Sequence, residues 1–365
     1  MINYIKIEGY KSIKRLEIEF ESINVLIGAN GVGKSNFISF FKLIHEIYEK
    51  RLENYSLKKG AETLLHFGSR FTSEIKAHLE FDKKNGYKLL LEPTENNTLF
   101  IKKEQALFDG NKGETFQSNT LFEKTFAYNS KESQLKNEND SFGMGMFVST
   151  YLRSFKIYHF HDTSLTSRLR TPSMLSDNVT LREDGDNLAA YLYLLKEKHN
   201  KHFKRIEYTI KSIAPYFDKF ELLPDRLNEN RINLEWREIG NPDFLFNAHH
   251  LSDGTIRFIA LATLLMQPNL PEVIIIDEPE LGLHPVAISK LAGLIKKASM
   301  KCQIIISTQS VNLVGNFDSN NVITVDRVDN QSQFNRLSDK NLENWLEDFS
   351  LGDLWLKNMI KGQPF

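Results

Sequence analysis

Gly28-Ala29-Asn30-Gly31-Val32-Gly33-Lys34-Ser35 fits the pattern G-x-x-x-x-G-K-[ST] at every position. The five residues before it, Ile23-Asn24-Val25-Leu26-Ile27, form a short apolar run that reads as a strand. After it, Phe37, Ile38, Phe40, Phe41, Ile44, Ile47 and Tyr48 recur at helical spacing, so a helix follows. A strand, a glycine-rich turn and a helix in that order are the setting in which such a turn holds phosphate. Its glycines let backbone N–H groups curl around an anion, and the helix N-terminus adds partial positive charge. Gly28, Asn30, Gly31 and Gly33 are the expected cradle. Lys34 is placed to reach the β- and γ-phosphates, the Ser35 hydroxyl to ligate Mg²⁺, and Asn36 lies next to both.

A second stretch strengthens this reading. In Val273-Ile274-Ile275-Ile276-Asp277-Glu278-Pro279, four apolar residues deliver two acids at the end of a buried strand. That is where α/β sheets place their sites. Asp277 is expected in the Mg²⁺ shell, and Glu278 is expected to orient or deprotonate an attacking water. A third stretch, Leu251-Ser252-Asp253-Gly254-Thr255, precedes the helix Ile256–Met266 and offers a hydroxyl and a glycine at a helix N-terminus. Taken alone it is a helix cap.

Outward from these motifs, the pattern 1–27 reads as β structure. Ile75 to Phe81, Tyr87 to Leu91 and Leu99 to Lys102 read as short strands. Residues 110–145, rich in Asn, Ser, Gly, Glu and Lys, read as a long loop or mobile insertion. One long amphipathic helix is expected between 187 and 213, too short and unpartnered for a coiled-coil arm. From 256 onward helix and strand alternate, with strands Val273–Ile276, Gln303–Ser307 and Val322–Val325, which predicts a parallel sheet. Three parts follow: a β-rich portion 1–109 with the glycine-rich turn, an insertion and helical lobe 110–245, and a closing portion 246–365.

Composition sets the limits. Of 365 residues, 46 are Lys or Arg and 47 Asp or Glu, a formal net charge of −1. That balance excludes coating nucleic acid by bulk charge but leaves room for a local basic patch. Cys302 is the one cysteine, so no internal disulfide forms; its apolar neighbours mark it as a small buried hydrophobe. Neither a secretion signal nor a membrane-length apolar run is present, so a cytoplasmic protein is expected.

Together these motifs resemble ABC-type ATPases of the RecF/SMC/OLD-like branch. Leu251-Ser252-Asp253-Gly254-Thr255 is similar to the L-S-G-G-Q signature of ABC ATPases. Glu280-Leu281-Gly282-Leu283-His284-Pro285 looks like the branch's D-loop, and Gly9-Tyr10-Lys11-Ser12-Ile13 like its G-F-K-S-F segment. Ser35-Asn36 matches its G-K-S-N, where transporter subunits more usually read G-K-S-T. The likeness covers about 1–40 and 246–328 and continues weakly through Leu351-Gly352-Asp353-Leu354-Trp355. These pieces resemble the stand-alone predicted ATPases of bacterial genome-maintenance and phage-defence operons.

The resemblance implies an α/β ABC-type P-loop NTPase head with a mixed β-sheet lobe, a parallel-sheet core and a short helical insertion. It implies ATP and Mg²⁺ as cofactors, with Lys11 among the nucleotide-binding residues. It also implies a head-to-tail homodimer in which each ATP lies between one subunit's P-loop and the other's Ser252 and Gly254. Function is then expected as a nucleotide-gated switch acting on nucleic acid or on an effector such as a nuclease or toxin, in anti-phage defence or DNA repair, with assembly beyond the dimer open. Three departures stand out. Asp253 and Thr255 replace Gly and Gln of the signature, and Gln309 occupies the switch position usually held by His. A glutamine amide can hydrogen-bond a γ-phosphate but cannot shuttle a proton, which favours slow hydrolysis and keeps a non-turnover scaffold as the alternative. The Q-loop glutamine is open among Gln105, Gln117 and Gln134.

Other constellations read more plainly. His159 and His161 share a strand face without further ligands, a structural or hinge pair, and His249-His250 reads as a solvated loop pair. Lys196, Lys198, Lys201, Lys204 and Arg205, with Arg168 and Arg170 in a preceding loop, read as a solvated basic face, with phosphate contact as the functional alternative. No N-K-x-D motif is present, since Asn111-Lys112-Gly113-Glu114 ends in Glu and lacks a strand context, so ATP is preferred over GTP.

Overall fold

The computed structural model describes residues 1–110, 121–137, 143–338 and 342–362. They form two compact units. The first comprises Met1–Ile157, Glu272–Ile275 and Cys302–Phe365, and the second Tyr158–Pro271 and Ile276–Lys301.

An antiparallel sheet opens the first unit. Its order is β2 (Ile13–Glu19), β1 (Ile2–Tyr10), β4 (Ile75–Phe81), β5 (Asn85–Pro93), β6 (Leu99–Asp109) and β7 (Leu121–Ser130). Register follows the alternation in the sequence. Ile5 and Ile7 face Ile18 and Leu16 on one side and Leu79 and Ala77 on the other, all on the buried face.

The second sheet carries the glycine-rich turn. Its order is β17 (Gln331–Arg336), β16 (Val322–Val328), β3 (Ile23–Ile27), β15 (Gln303–Thr308), β14 (Val273–Asp277) and β8 (Ile157–Tyr158). β3 lies between β15 and β16 and runs parallel to both, while β17 returns antiparallel to β16. Every residue of β3 and β15 is buried, as expected of parallel strands covered on both faces. Between the sheets' buried faces lies α1 (Lys34–Tyr48), whose Phe37, Phe40 and Phe41 are fully buried. Phe41 meets Phe37 at 5.3 Å and Phe155 at 5.1 Å, both edge-on. The unit is completed by α2 (Leu52–Lys59), α3 (Ala61–Leu64) and α4 (Met144–Leu152), and by α9 (Val311–Val314), α10 (Glu343–Leu346) and α11 (Leu351–Leu356) near the C-terminus.

The second unit is mainly helical: α5 (Leu188–Lys198), α6 (Asn200–Lys211), α7 (Asp253–Met266) and α8 (Pro285–Ser299), with α7 packed against both α6 and α8. Short strands β9 (Ser173–Met174) and β11 (Arg231–Ile232) pair, and β10 (Phe217–Phe220), β12 (Glu235–Glu238) and β13 (Asn241–Asn247) form a small sheet. Trp236 stacks on Phe246 at 4.7 Å and on Phe217 at 5.9 Å to give that sheet its core.

Three expectations change. The helix expected over 187–213 breaks at His199, whose φ of −134° and ψ of 47° leave the helical region. His199 lies just past α5 and Asn200 begins α6, two poor helix formers in succession. The stretch 110–145 is not one loop: β7 and the start of α4 lie within it. β6 also runs seven residues past Lys102, to Asp109, through Glu104 and Gln105. Those polar residues belong in a strand because distant partners satisfy them. Tyr87 and Ser133 hydroxyls donate to Glu104 at 2.8 and 2.7 Å, and Gln105 donates to Glu123 at 3.0 Å.

Candidate functional site

In the first unit the glycine-rich turn joins β3 to α1 as the pattern requires. Gly31 and Gly33 have φ of 80° and 118°, a region that favours glycine. A Cβ at Gly28 would collide with the Val325 carbonyl, and one at Gly33 would collide with Ser332 Oγ. Polar contacts tie the turn down: Ser332 Oγ donates to the Val32 carbonyl at 2.5 Å, and Asn36 donates to Ser12 Oγ at 2.8 Å. Helix α1 starts with glycine as its cap, so no side chain occupies the N–H groups of its first turn, and that turn holds no acid. Lys34 is buried; its ammonium donates to the carbonyls of Gly28 at 2.6 Å and Ala29 at 2.9 Å, inside the curl of the turn. Ser35 is exposed on the first helical turn, and Asn30 on the loop. A curl of N–H groups with a cation held within it suits a polyphosphate, and Ser35 is exposed beside it.

Gln309 directly follows β15, and its strand pairs Thr308 with Ile27 at the end of β3. Gln309 therefore lies at the same end of the sheet as the turn. Lys11 sits between β1 and β2 with φ of 47°, a strained backbone for lysine. Its ammonium donates to Ser39 Oγ at 2.7 Å, one turn beyond Ser35 on α1. Burial first, and then the neighbouring Lys59, push this amine down to about 8. Lys11, Asn36, Gly31, Lys59 and Arg327 line an open cavity of about 570 Å³ beside the turn.

In the second unit, Asp277 closes β14 and Glu278 turns away from it with φ of 41°. A non-glycine residue there costs about 1–3 kcal/mol, and such strain gathers at working sites. Ser252 caps α7: its Oγ accepts from the Thr255 N–H at 3.1 Å and contacts Thr255 Oγ1 at 2.8 Å. The helix begins at Asp253 rather than Ile256, so Gly254 lies in its first turn. A Cβ on Gly254 would stand 2.5 Å from the Gly282 carbonyl, so the signature helix rests directly on the Glu280–Pro285 loop.

Two arginines hold this arrangement, and neither is apparent as such in the sequence. Arg257 donates to the carbonyls of Phe160 and His161, each at 2.8 Å, and to that of Leu281. His161 Nε2 in turn donates to the Asp277 carbonyl at 2.9 Å. A chain of contacts thus leads from the signature helix to the end of β14. Arg170 donates to the carbonyls of Leu251 at 3.0 Å, Thr163 at 2.9 Å and Ala248, and pairs with Asp253 at 2.7 Å. It is buried, which removes it from the basic surface expected of Arg168 and Arg170. The isolated Arg257 in the otherwise apolar run Ile256–Met266 is the one signal that could have betrayed its role, since a buried guanidinium demands acceptors. Arg257→Leu would strip three carbonyls of a donor, at about 1–3 kcal/mol each. It is expected to lower urea stability by at least about 3 kcal/mol, with Arg257→Lys recovering less than half.

The remaining readings resolve simply. Among the described residues no group of acids, histidines and cysteines could hold a metal ion. His249 and His250 form part of a short capped turn with Asn247. Of the Q-loop candidates, Gln105 lies on β6, Gln134 donates to the Glu132 carbonyl, and Gln117 lies outside the described residues. Burial and Glu272 push the Cys302 thiol up to about 12, in keeping with a packed hydrophobe. No described helix is long and apolar enough to cross a membrane.

Comparison with known proteins points the same way. Septu protein PtuA of Bacillus thuringiensis is 22% identical over 326 residues, 86% of this chain and 73% of that protein. The energy-coupling factor transporter ATP-binding protein EcfA of Methanocaldococcus jannaschii is 39% identical over 94 residues, 25% of this chain. That match spans 33% of EcfA's length. Among solved structures, an SMC head bound to the C-winged helix domain of ScpA superposes with a TM-score of 0.57 at 18% identity, covering 94% of this chain and 99% of that one. An SMC head with an extended coiled coil, bound to the C-terminal domain of ScpA from Pyrococcus furiosus, gives 0.53 at 15%, covering 95% and 98%. A family profile described as "AAA domain, putative AbiEii toxin, Type IV TA system" matches residues 23–315. The chain belongs to that family and has the fold of an SMC head, and these likenesses support an ABC-type ATPase of the SMC/RecF-like branch.

Proposed function

We propose that the chain binds and hydrolyses ATP with Mg²⁺ as a homodimeric, nucleotide-gated switch acting on nucleic acid or a partner effector in anti-phage defence, with DNA repair as the nearest relative role. In this reading Lys34, Ser35, Asp277 and Glu278 act in cis, with Gly28, Asn30, Gly31, Gly33, Asn36 and Lys11 around the nucleotide. Ser252 and Gly254 act on the partner's nucleotide, and Gln309 reads the γ-phosphate. The observation that carries it is Lys34 drawn into a curl of glycines at an uncapped helix N-terminus, a cradle built for polyphosphate. The likeness to Septu protein PtuA over most of the chain supports the defence setting. ATP turnover with and without duplex DNA, in wild type and Glu278→Gln with solution mass in parallel, tests the reading. Turnover raised by DNA and lost in the variant supports it; absence of turnover with ATP bound refutes the hydrolytic switch.

Gln309 favours a second reading, in which ATP is a structural ligand joining subunits into a platform that sequesters a nuclease or toxin. A scaffold of that kind assembles equally well as wild type or Glu278→Gln.

Lys11 gives the switch a pH signature. With its amine down at about 8, it carries its charge well below that pH and loses it above, where an ordinary lysine would still be charged. Nucleotide affinity is therefore expected to weaken as pH rises from 7 to 9.5. Lys11→Arg should flatten the profile near its pH 7 value, and Lys11→Met should flatten it at a weaker one. Fluorescent-nucleotide titrations across that range read the difference; a wild-type profile that stays level removes Lys11 from the nucleotide site.

A further inference from the structure

In the second unit, a groove of about 70 Å³ lies over the C-terminal end of α7, between α6 and α8. Its floor includes buried Leu265 and half-buried Leu294; its cations are Arg205 from α6, Lys297 from α8 and Lys301 just beyond, and the His202 imidazole of α6 lies beside them. Arg205, Lys297 and Lys301 are exposed, and among the described residues none of the three is paired with a carboxylate. Their neighbours behave differently: Lys204 pairs with Glu207 at 2.9 Å, and Lys211 with Asp218 at 3.1 Å. The His202 imidazole lies below its ordinary range, lowered by burial and then by Arg205, His199 and Lys301, so positive charge accumulates here without an offset.

Complementing helix ends does not account for so much charge. The C-termini of α7 and α8 together present about one negative charge, against three permanent cations at the groove. The cations also extend beyond it in rows. Lys201, Arg205 and Tyr208 follow one exposed stripe of α6, and Lys290, Lys297 and Lys301 one stripe of α8 and its end. Lys290 and Lys297 are two turns apart, about 11 Å, close to the axial rise of three base pairs of duplex.

We propose that the groove between α6 and α8 is a phosphate-backbone track for nucleic acid, with Arg205, Lys297 and Lys301 on its phosphates and the exposed Tyr208 beside them for sugar or base contact. The track names the nucleic acid on which the proposed switch acts, and rests on that reading for this choice of partner alone. An acidic peptide is the weaker fit. The groove is too small for the aromatic anchor by which amphipathic peptides dock, and the cations run past it in rows rather than ringing it.

The test is fluorescence anisotropy of the full chain with a labelled 30-base-pair duplex, without nucleotide, between 50 and 200 mM salt. Lys297→Glu with Lys301→Glu is expected to weaken binding at least about 30-fold at 100 mM and to flatten the salt slope by about two. The charge-matched control, Lys42→Glu with Lys58→Glu at exposed positions of the first unit, is expected to shift binding less than threefold. Thermal midpoints within about 2 °C of wild type establish that all variants fold. A double variant that binds like the control overturns the track, as does a wild type that does not bind duplex. Displacement of the duplex by a poly-glutamate peptide at equal concentration overturns it in favour of an acidic partner. Duplex binding that depends on Lys297 and Lys301 while ATP-driven dimerisation is absent leaves the track standing and removes the switch.

Discussion

Lys34→Ala is expected to weaken ATP binding at least about 100-fold. The ammonium of Lys34 is buried within the turn, on the carbonyls of Gly28 and Ala29, at the mouth of a helix that carries no side-chain cap. A charge-assisted hydrogen bond is worth about 1.5–3 kcal/mol, and a lysine serving two phosphates offers two. Their loss corresponds to about 3–6 kcal/mol, or two to four orders of magnitude in Kd. Lys34→Arg is not expected to rescue binding, because a planar fork cannot enter a curl sized for a point charge. Isothermal titration at pH 7 reads both variants. Affinity within threefold of wild type in Lys34→Ala would place the nucleotide elsewhere.

Glu278→Gln should separate binding from turnover. The substitution keeps the shape of the side chain and its strained position just past β14 but removes the carboxylate. A general base contributes about 10²–10⁴ in rate, so hydrolysis should fall by that factor while ATP binding stays within threefold. On the proposed reading, ATP that is bound but not cleaved is then expected to hold the dimer closed. Single-turnover hydrolysis and nucleotide titration on the same preparation check the two halves. Unchanged turnover in the variant would remove Glu278 from the reaction.

What the sequence revealed depended on how local the chemistry was. The turn Gly28–Ser35 is legible because strand, cradle, cation and helix are contiguous, and the backbone they need is written in their glycines. β3, β14 and β15 are legible because parallel strands buried on both faces become continuous apolar runs. The part of β6 beyond Lys102 and all of β7 were hidden by polar residues that only distant partners satisfy: Glu104 needs Tyr87 and Ser133, and Gln105 needs Glu123. The break between α5 and α6 depends on two weak helix formers inside an apolar periodicity that runs on past them. Arg170 and Arg257 escaped for a third reason. Their acceptors are mostly backbone carbonyls 24 to 97 positions away, or nearby turns that carry no side-chain pattern. The basic row on α6 was visible at once, but which of its members are neutralised could be seen only from their neighbours.

On the proposed reading, ATP joins two copies through the partner's Ser252 and Gly254. Light scattering of Glu278→Gln with ATP and Mg²⁺ tests it most directly, beside the same protein carrying Ser252→Arg. The expected result is a mass that doubles from 42.2 kDa with ATP, returns with ADP, and never doubles when Ser252 is replaced. A mass that ignores ATP, or doubles equally with Ser252→Arg, would contradict the composite site.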